Sequence, residues 1–205
     1  MSGSQPARRA PREPIRLFAC TLATPLGGFV TVVDTEGRLR AAEFEDRPER
    51  LERSLLLRFG REGHRLEQGA GTNTISMALE SYFAGDIRAI DSIETVLDGT
   101  PFQNSVWAAL RTVEAGAPIS YATLAARIGR PETSRAVGHA NGTNPFSIIV
   151  PCHRLVGSNG ALTGYGGGIE RKRWLIDHEA RAGACCSQVE SHGVAHNRKN
   201  QSDRP

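Results

Sequence analysis

From Ile15 to Phe44 the apolar residues come in short runs broken by turn-forming residues, which predicts β structure. Leu17–Cys20 and Phe29–Val33 are separated by Pro25 and Gly27-Gly28. Asp34-Thr35-Glu36-Gly37 is a turn signal, and an apolar-rich stretch returns from Leu39 to Phe44. The spacing then changes. Leu51, Leu55 and Phe59 stand four apart and predict a helix over 48–59. Ile75, Leu79 and Phe83 do the same over 73–84, with Gly85 at the end. A short strand around Ile93–Leu97 closes a small α+β module assigned to residues 14–98.

Asp98-Gly99 marks a boundary, and a mainly helical domain is expected over 99–182. Thr100 is placed as N-cap, Pro101 in the first turn and Gln103 in the capping-box position. Phe102, Val106, Leu110 and Val113 form the apolar stripe of this helix, which is expected to stop near Gly116 and Pro118. Ser120 can cap a second helix, Tyr121–Ile128; Gly129-Arg130-Pro131 turns into a third, Glu132–Asn141. Two helices around a short Gly-containing turn match a helix-turn-helix, a pattern too common to establish DNA binding alone. The third helix carries Ala136, Val137 and Gly138, with Arg135 its one long basic side chain. Phe146–Val150 reads as a buried strand ending at Pro151-Cys152-His153-Arg154. A glycine-rich loop and a last helix, Ile169–Ala182, follow. Residues 1–13 and 183–205 read as a disordered arm and tail.

Composition narrows the class. The 205 residues are 39% hydrophobic, enough for one domain or two small ones. The longest apolar runs fall far short of the roughly 20 residues a membrane span needs. Residues 1–16 have no apolar segment, so they are no secretory signal. Four cysteines make no disulfide scaffold, and a reducing, cytoplasmic setting is expected. The net charge of +3 hides a division: residues 17–100 carry −5 and residues 101–180 carry +3. An anionic partner is therefore expected at the second half. Basic residues are 23 Arg and two Lys, which fits either genomic base composition or phosphate recognition.

Cys152 and His153 carry the candidate chemistry. The thiolate is the nucleophilic form of cysteine, and a nearby imidazole lowers the thiol pKa. Adjacent residues on a strand face opposite ways, so this pair would cooperate across a turn or through a bridging water. A structural cysteine beside a surface histidine is the alternative, and the pair alone does not decide.

The surrounding segments do. GTPFQNSVWAAL, ISYATLAARIG, SRAVGHANGTNP, IIVPCHRLVGSNGALTGYGGG and KRWLIDHE, in this order, resemble the O6-alkylguanine-DNA alkyltransferase family. The stretch TPLGGFVTVVDTEGRLRAAEF resembles its N-terminal module more loosely. The resemblance implies an RNase H-like first module and a winged helix-turn-helix-type second domain. It implies Cys152 as alkyl acceptor, His153 as general base through a water, and Glu179 orienting the imidazole. Asn144 would hold the turn between the recognition helix and the active-site strand. Tyr121 would help rotate the nucleotide and protonate the leaving group. Arg135 would fill the gap left by a flipped base, and Ala136 and Gly138 would let the helix approach the minor groove. Tyr165, Gly166 and Lys172 would line the guanine pocket.

The implied partner is double-stranded DNA containing O6-alkylguanine, met by a monomer, with O4-alkylthymine left open as a substrate. S-alkylcysteine is a thioether without a good leaving group, so one transfer per molecule is expected. No cofactor is implied. Cys20 with His64, and Cys185-Cys186 with His192 and His196, are poor metal sets, so no metal is expected. His139 departs from the small residue usual in the family and is either a phosphate contact or a surface position. A DNA binder without transfer and a cysteine hydrolase using Cys152, His153 and Glu179 are the competing classes.

Overall fold

A computed structural model describes residues 13–69 and 72–193, with side chains through residue 183. The first half is a four-stranded mixed sheet with two helices. Strands β1 (Ile15–Thr24), β2 (Gly27–Asp34) and β3 (Leu39–Phe44) form an antiparallel meander. The Asp34 carboxylate accepts the backbone N–H groups of Glu36 and Arg38, both at 3.0 Å, and so folds the β2–β3 turn. Helix α1 (Pro48–Phe59) packs on β3, and β4 (His64–Gln68) adds to the outer side of β1 in parallel. Sequence reading missed β4 because HRLEQ is a largely exposed, polar edge strand with no apolar alternation.

Helix α2 (Asn73–Ala84) ends at Gly85, whose φ of 112° is left-handed. The strand expected over Ile93–Leu97 is a single parallel bridge between Thr95 and Leu39, preceded by a 3-10 turn at Ala89–Ser92. Helix α3 (Pro101–Arg111) starts on the expected capping box: Gln103 N–H donates to Thr100 Oγ1 and Thr100 N–H to Gln103 Oε1. Helix α4 (Tyr121–Arg127) is capped by Ser120, and α5 (Ser134–Gly142) follows a 3-10 turn over Pro131–Thr133. Both pack on α3 and on each other. Ile119–Ser120 (β5) pairs in parallel with Leu155–Val156 (β6), tying the start of α4 to the chain beyond Cys152.

Two further expectations are corrected. Phe146–Val150 is not a strand but a compact turn with Ile148 at a φ of 70°, joined to the sheet by a β-bridge between Phe146 and Ala42. A buried apolar run of five cannot by itself be told from a strand. Here the Asn144 side chain satisfies the backbone that a neighbouring strand would otherwise pair with. Helix α6 (Ile169–Gly193) continues past Ala182, so residues 183–193 of the expected tail are helical backbone. Residues 1–12 and 194–205, with the side chains of Cys185, Cys186, His192 and His196, lie outside the described part.

The largest core cluster joins both halves. Phe29, Phe44, Leu79 and Tyr82 pack in it with Val106, Trp107, Val137, Phe146, Val150 and Leu175. A smaller one, with Leu17, Val32, Ala41 and Leu55, lies between the sheet and α1. No helix among the described residues is long and apolar enough to cross a membrane.

Candidate active site

Cys152 opens a buried 3-10 turn, Cys152–Arg154, rather than ending a strand. The turn stands on Asn144. Its Nδ2 donates to Val150 O at 2.8 Å and Phe146 O at 3.4 Å, while its Oδ1 accepts the Phe146 N–H at 3.0 Å. Asn144 thus ties the backbone of Phe146–Val150 together, and that stretch is not a strand. Cys152 is 5% exposed. Burial pushes its thiol up to about 11, against a hydrogen bond from Asn144 that pulls it down. At rest it is a thiol.

His153 is fully buried and meets Glu179 Oε1 at 2.9 Å through Nε2. Burial holds the imidazole below its ordinary value despite that carboxylate. A neutral imidazole donating from Nε2 has its lone pair on Nδ1, and Nδ1 is buried without a hydrogen-bond partner. That nitrogen is therefore free to take a proton.

Glu179 on α6 is the hub. Burial pushes its carboxyl up, but His153 and Arg154 outweigh this and hold it well below the usual carboxylate range. Arg154 forks onto it, Nε to Oε2 and Nη2 to Oε1, each at 2.9 Å. The Tyr82 hydroxyl donates to Oε1 at 3.0 Å, and the Gly116 N–H to Oε2 at 3.3 Å. Gly116 is required there: its φ is 74°, and a Cβ would lie 3.0 Å from the Ala180 backbone. Sequence reading missed Tyr82, Gly116 and the role of Arg154. Only Arg154 left a signal, as the last residue of PCHR.

The remaining expected residues surround this centre. Lys172 is buried and donates to Thr163 O at 2.6 Å. Burial lowers its ammonium, against the pull of Cys152. Tyr165 sets its ring edge-on to His153 at 6.4 Å and to Phe44 at 6.5 Å, with its hydroxyl buried and unpartnered. Gly166 lies under the Arg50 guanidinium, closer than any Cβ would allow. Arg50 also donates to Glu43 Oε2 at 2.9 Å, and Ser147 to Glu43 Oε1 at 3.1 Å. Glu43, Phe44 and Arg50 come from the first half and were not foreseen.

Tyr121 stands between α5 and the loop, reaching Thr163 O at 3.5 Å and facing Gly138. On α5, Val137, Ala140 and Asn141 face the core, while Arg135, Ala136 and His139 are exposed. Arg135 is thus apart from Cys152, on the outer face of its helix. Among the described residues, no three His, Cys, Asp or Glu side chains are placed to hold a metal.

A buried cysteine beside an imidazole–carboxylate pair, on a mainly helical unit, is the arrangement of a protein class built around a cysteine side chain. Residues 101–181 match the family model for the 6-O-methylguanine DNA methyltransferase DNA-binding domain. The methylated-DNA–protein-cysteine methyltransferase of Salmonella typhimurium is 48% identical over 165 residues, covering 80% of this chain and 96% of that one. Mycobacterium tuberculosis OGT, solved in complex with DNA, superposes with a TM-score of 0.65 at 35% identity, over 82% of this chain and 94% of that one. The O6-methylguanine-DNA methyltransferase of Pyrococcus kodakaraensis gives 0.61 at 26% identity, over 80% and 98%. The chain belongs to the methylated-DNA–protein-cysteine methyltransferase family.

Proposed function

We propose that this protein repairs O6-alkylguanine in double-stranded DNA by direct reversal, taking the alkyl group onto Cys152 once per molecule. The observation that carries this is the buried Cys152 next to a neutral His153 whose outer nitrogen is bound to Glu179. The thiol proton passes to His153 Nδ1 through a water. Sulfur attacks the alkyl carbon in line, the C–S bond forms as the C–O bond breaks, and the electron pair goes to guanine O6. Tyr121 supports protonation of the departing base. No tetrahedral oxyanion arises, so no oxyanion hole is called for. The thioether stays on the protein.

The target must leave the stack to reach a thiol this enclosed, at a cost of a few kcal/mol. Arg135 fills the gap. Ala136 and Gly138 allow α5 close to the minor groove, where deformability rather than base code governs binding. Tyr165, Gly166 and Lys172 line the guanine pocket. We read the first half, residues 14–98, as the RNase H-like module and residues 99–182 as the winged helix-turn-helix domain, in a monomeric cytoplasmic protein. O4-alkylthymine is a second substrate to assay.

The test is incubation with a duplex containing O6-methylguanine, followed by intact and peptide masses. One methyl on the Cys152 peptide, stoichiometric and absent from Cys152→Ala, is expected. DNA binding without a mass change would overturn the reading, and multiple turnovers would indicate a hydrolase.

A further inference from the structure

We propose that Tyr82, supplied by α2 of the first half, is a positioning residue of the alkyl-transfer site, its hydroxyl holding the carboxylate that orients His153. The inference rests on the roles proposed above for Cys152, His153 and Glu179.

Tyr82 lies 97 residues from Glu179 in the chain, yet it is fully buried and donates to Oε1 at 3.0 Å. It is held from the other side too. His178 Nε2 donates to the Tyr82 carbonyl at 2.8 Å, and the Tyr82 ring packs edge-on against Phe83 at 5.3 Å and His178 at 5.4 Å. A phenylalanine would serve those ring contacts equally. The hydroxyl is the part they leave unexplained, and it goes to the oxygen that His153 uses.

Oε1 therefore divides its charge among three donors: His153, Arg154 and Tyr82. Around His153 stand Cys152 and Arg154 from its own turn, Glu179 and Lys172 from α6, and Tyr165 from the loop. Arg154 and Lys172 oppose a positive charge on the imidazole, and Glu179 favours one. By drawing on Oε1, Tyr82 weakens the pull of Glu179 and acts on the side of Arg154 and Lys172. It also restrains carboxylate rotation. Removing the hydroxyl leaves more charge for His153, so the imidazole accepts a proton at higher pH and less of the free base remains on the acid side.

The experiment compares wild type with Tyr82→Phe, reading the rate of Cys152 alkylation by free O6-benzylguanine against pH and the His153 titration by 15N NMR. The acid limb is expected to move to higher pH, with a roughly threefold slower rate on that limb. The His153 midpoint is expected to move the same way. A wild type that reacts, with the variant showing the same limb and midpoint, overturns the proposal. If wild type is alkylated neither by this base nor by the O6-methylguanine duplex, the repair reading fails, and the NMR midpoint alone still decides Tyr82. Should Tyr82→Phe not fold, 3-fluorotyrosine at position 82, a stronger donor of the same shape, is expected to lower the midpoint; no movement overturns the proposal.

Discussion

Cys152 is stabilised as a thiol by the same burial that hides it. Its folded value near 11 lies above the ordinary 9.0, so that stabilisation is complete below pH 9 and is lost as the pH rises through 11. Wild type should lose about 2–3 kcal/mol more than Cys152→Ala between those limits, measured by urea unfolding. His153 works in the opposite direction. Because its folded value is lowered, the imidazole stays neutral below the normal histidine range. Arg135 is a residue of the surface, so its predicted effect is selective. Arg135→Ala should slow repair in duplex DNA tenfold or more (about 1.4 kcal/mol), while leaving the reaction with free O6-benzylguanine nearly unchanged; equal slowing of both would remove the gap-filling role.

At the scale of elements, the Asn144–Arg154 segment is built by side chains rather than by a sheet. Asn144→Ala removes all three of its bonds to buried backbone and should cost about 2–4 kcal/mol, seen in denaturant unfolding, with slower alkylation. Glu179→Gln leaves the buried Arg154 charge uncompensated, for an expected loss of about 3–5 kcal/mol at neutral pH. The acid dependence should change as well. Glu179 stabilises the fold above its ordinary 4.5, and this contribution fades as the pH falls toward its depressed folded value. The variant should therefore show a flatter stability curve below pH 4.5. Elements were legible in the sequence wherever their cause is local. The Thr100–Gln103 box, the Ser120 cap and the four-residue spacings of α1 and α2 each lie within one turn or a few. Polar β4 and the segment over 146–150 were not, because a strand partner decides the first and the reach of Asn144 the second.

For the whole molecule, the core does not respect the junction at Asp98-Gly99. Trp107 packs in one cluster with Phe29 and Leu79, so the halves should unfold together. Urea curves from tryptophan fluorescence and far-UV circular dichroism should coincide; two separate transitions would contradict this. The candidate site shares that long-range character. PCHR and Glu179 were readable as a motif set. Tyr82, Gly116, Glu43 and Arg50 were not, since each acquires its role from a chain contact that no local spacing encodes.

The surroundings of Glu179 have one more consequence, concerning time. Its donors come from Tyr82, Gly116, His153 and Arg154, all made before it, and the carboxylate itself arrives on α6. A chain still on the ribosome with α6 inside the exit tunnel has its cysteine and histidine but nothing to orient the imidazole or neutralise Arg154. If His153 serves Cys152 as proposed, docking of that helix is the event that completes the site, and a chain terminated before it is expected to be unreactive.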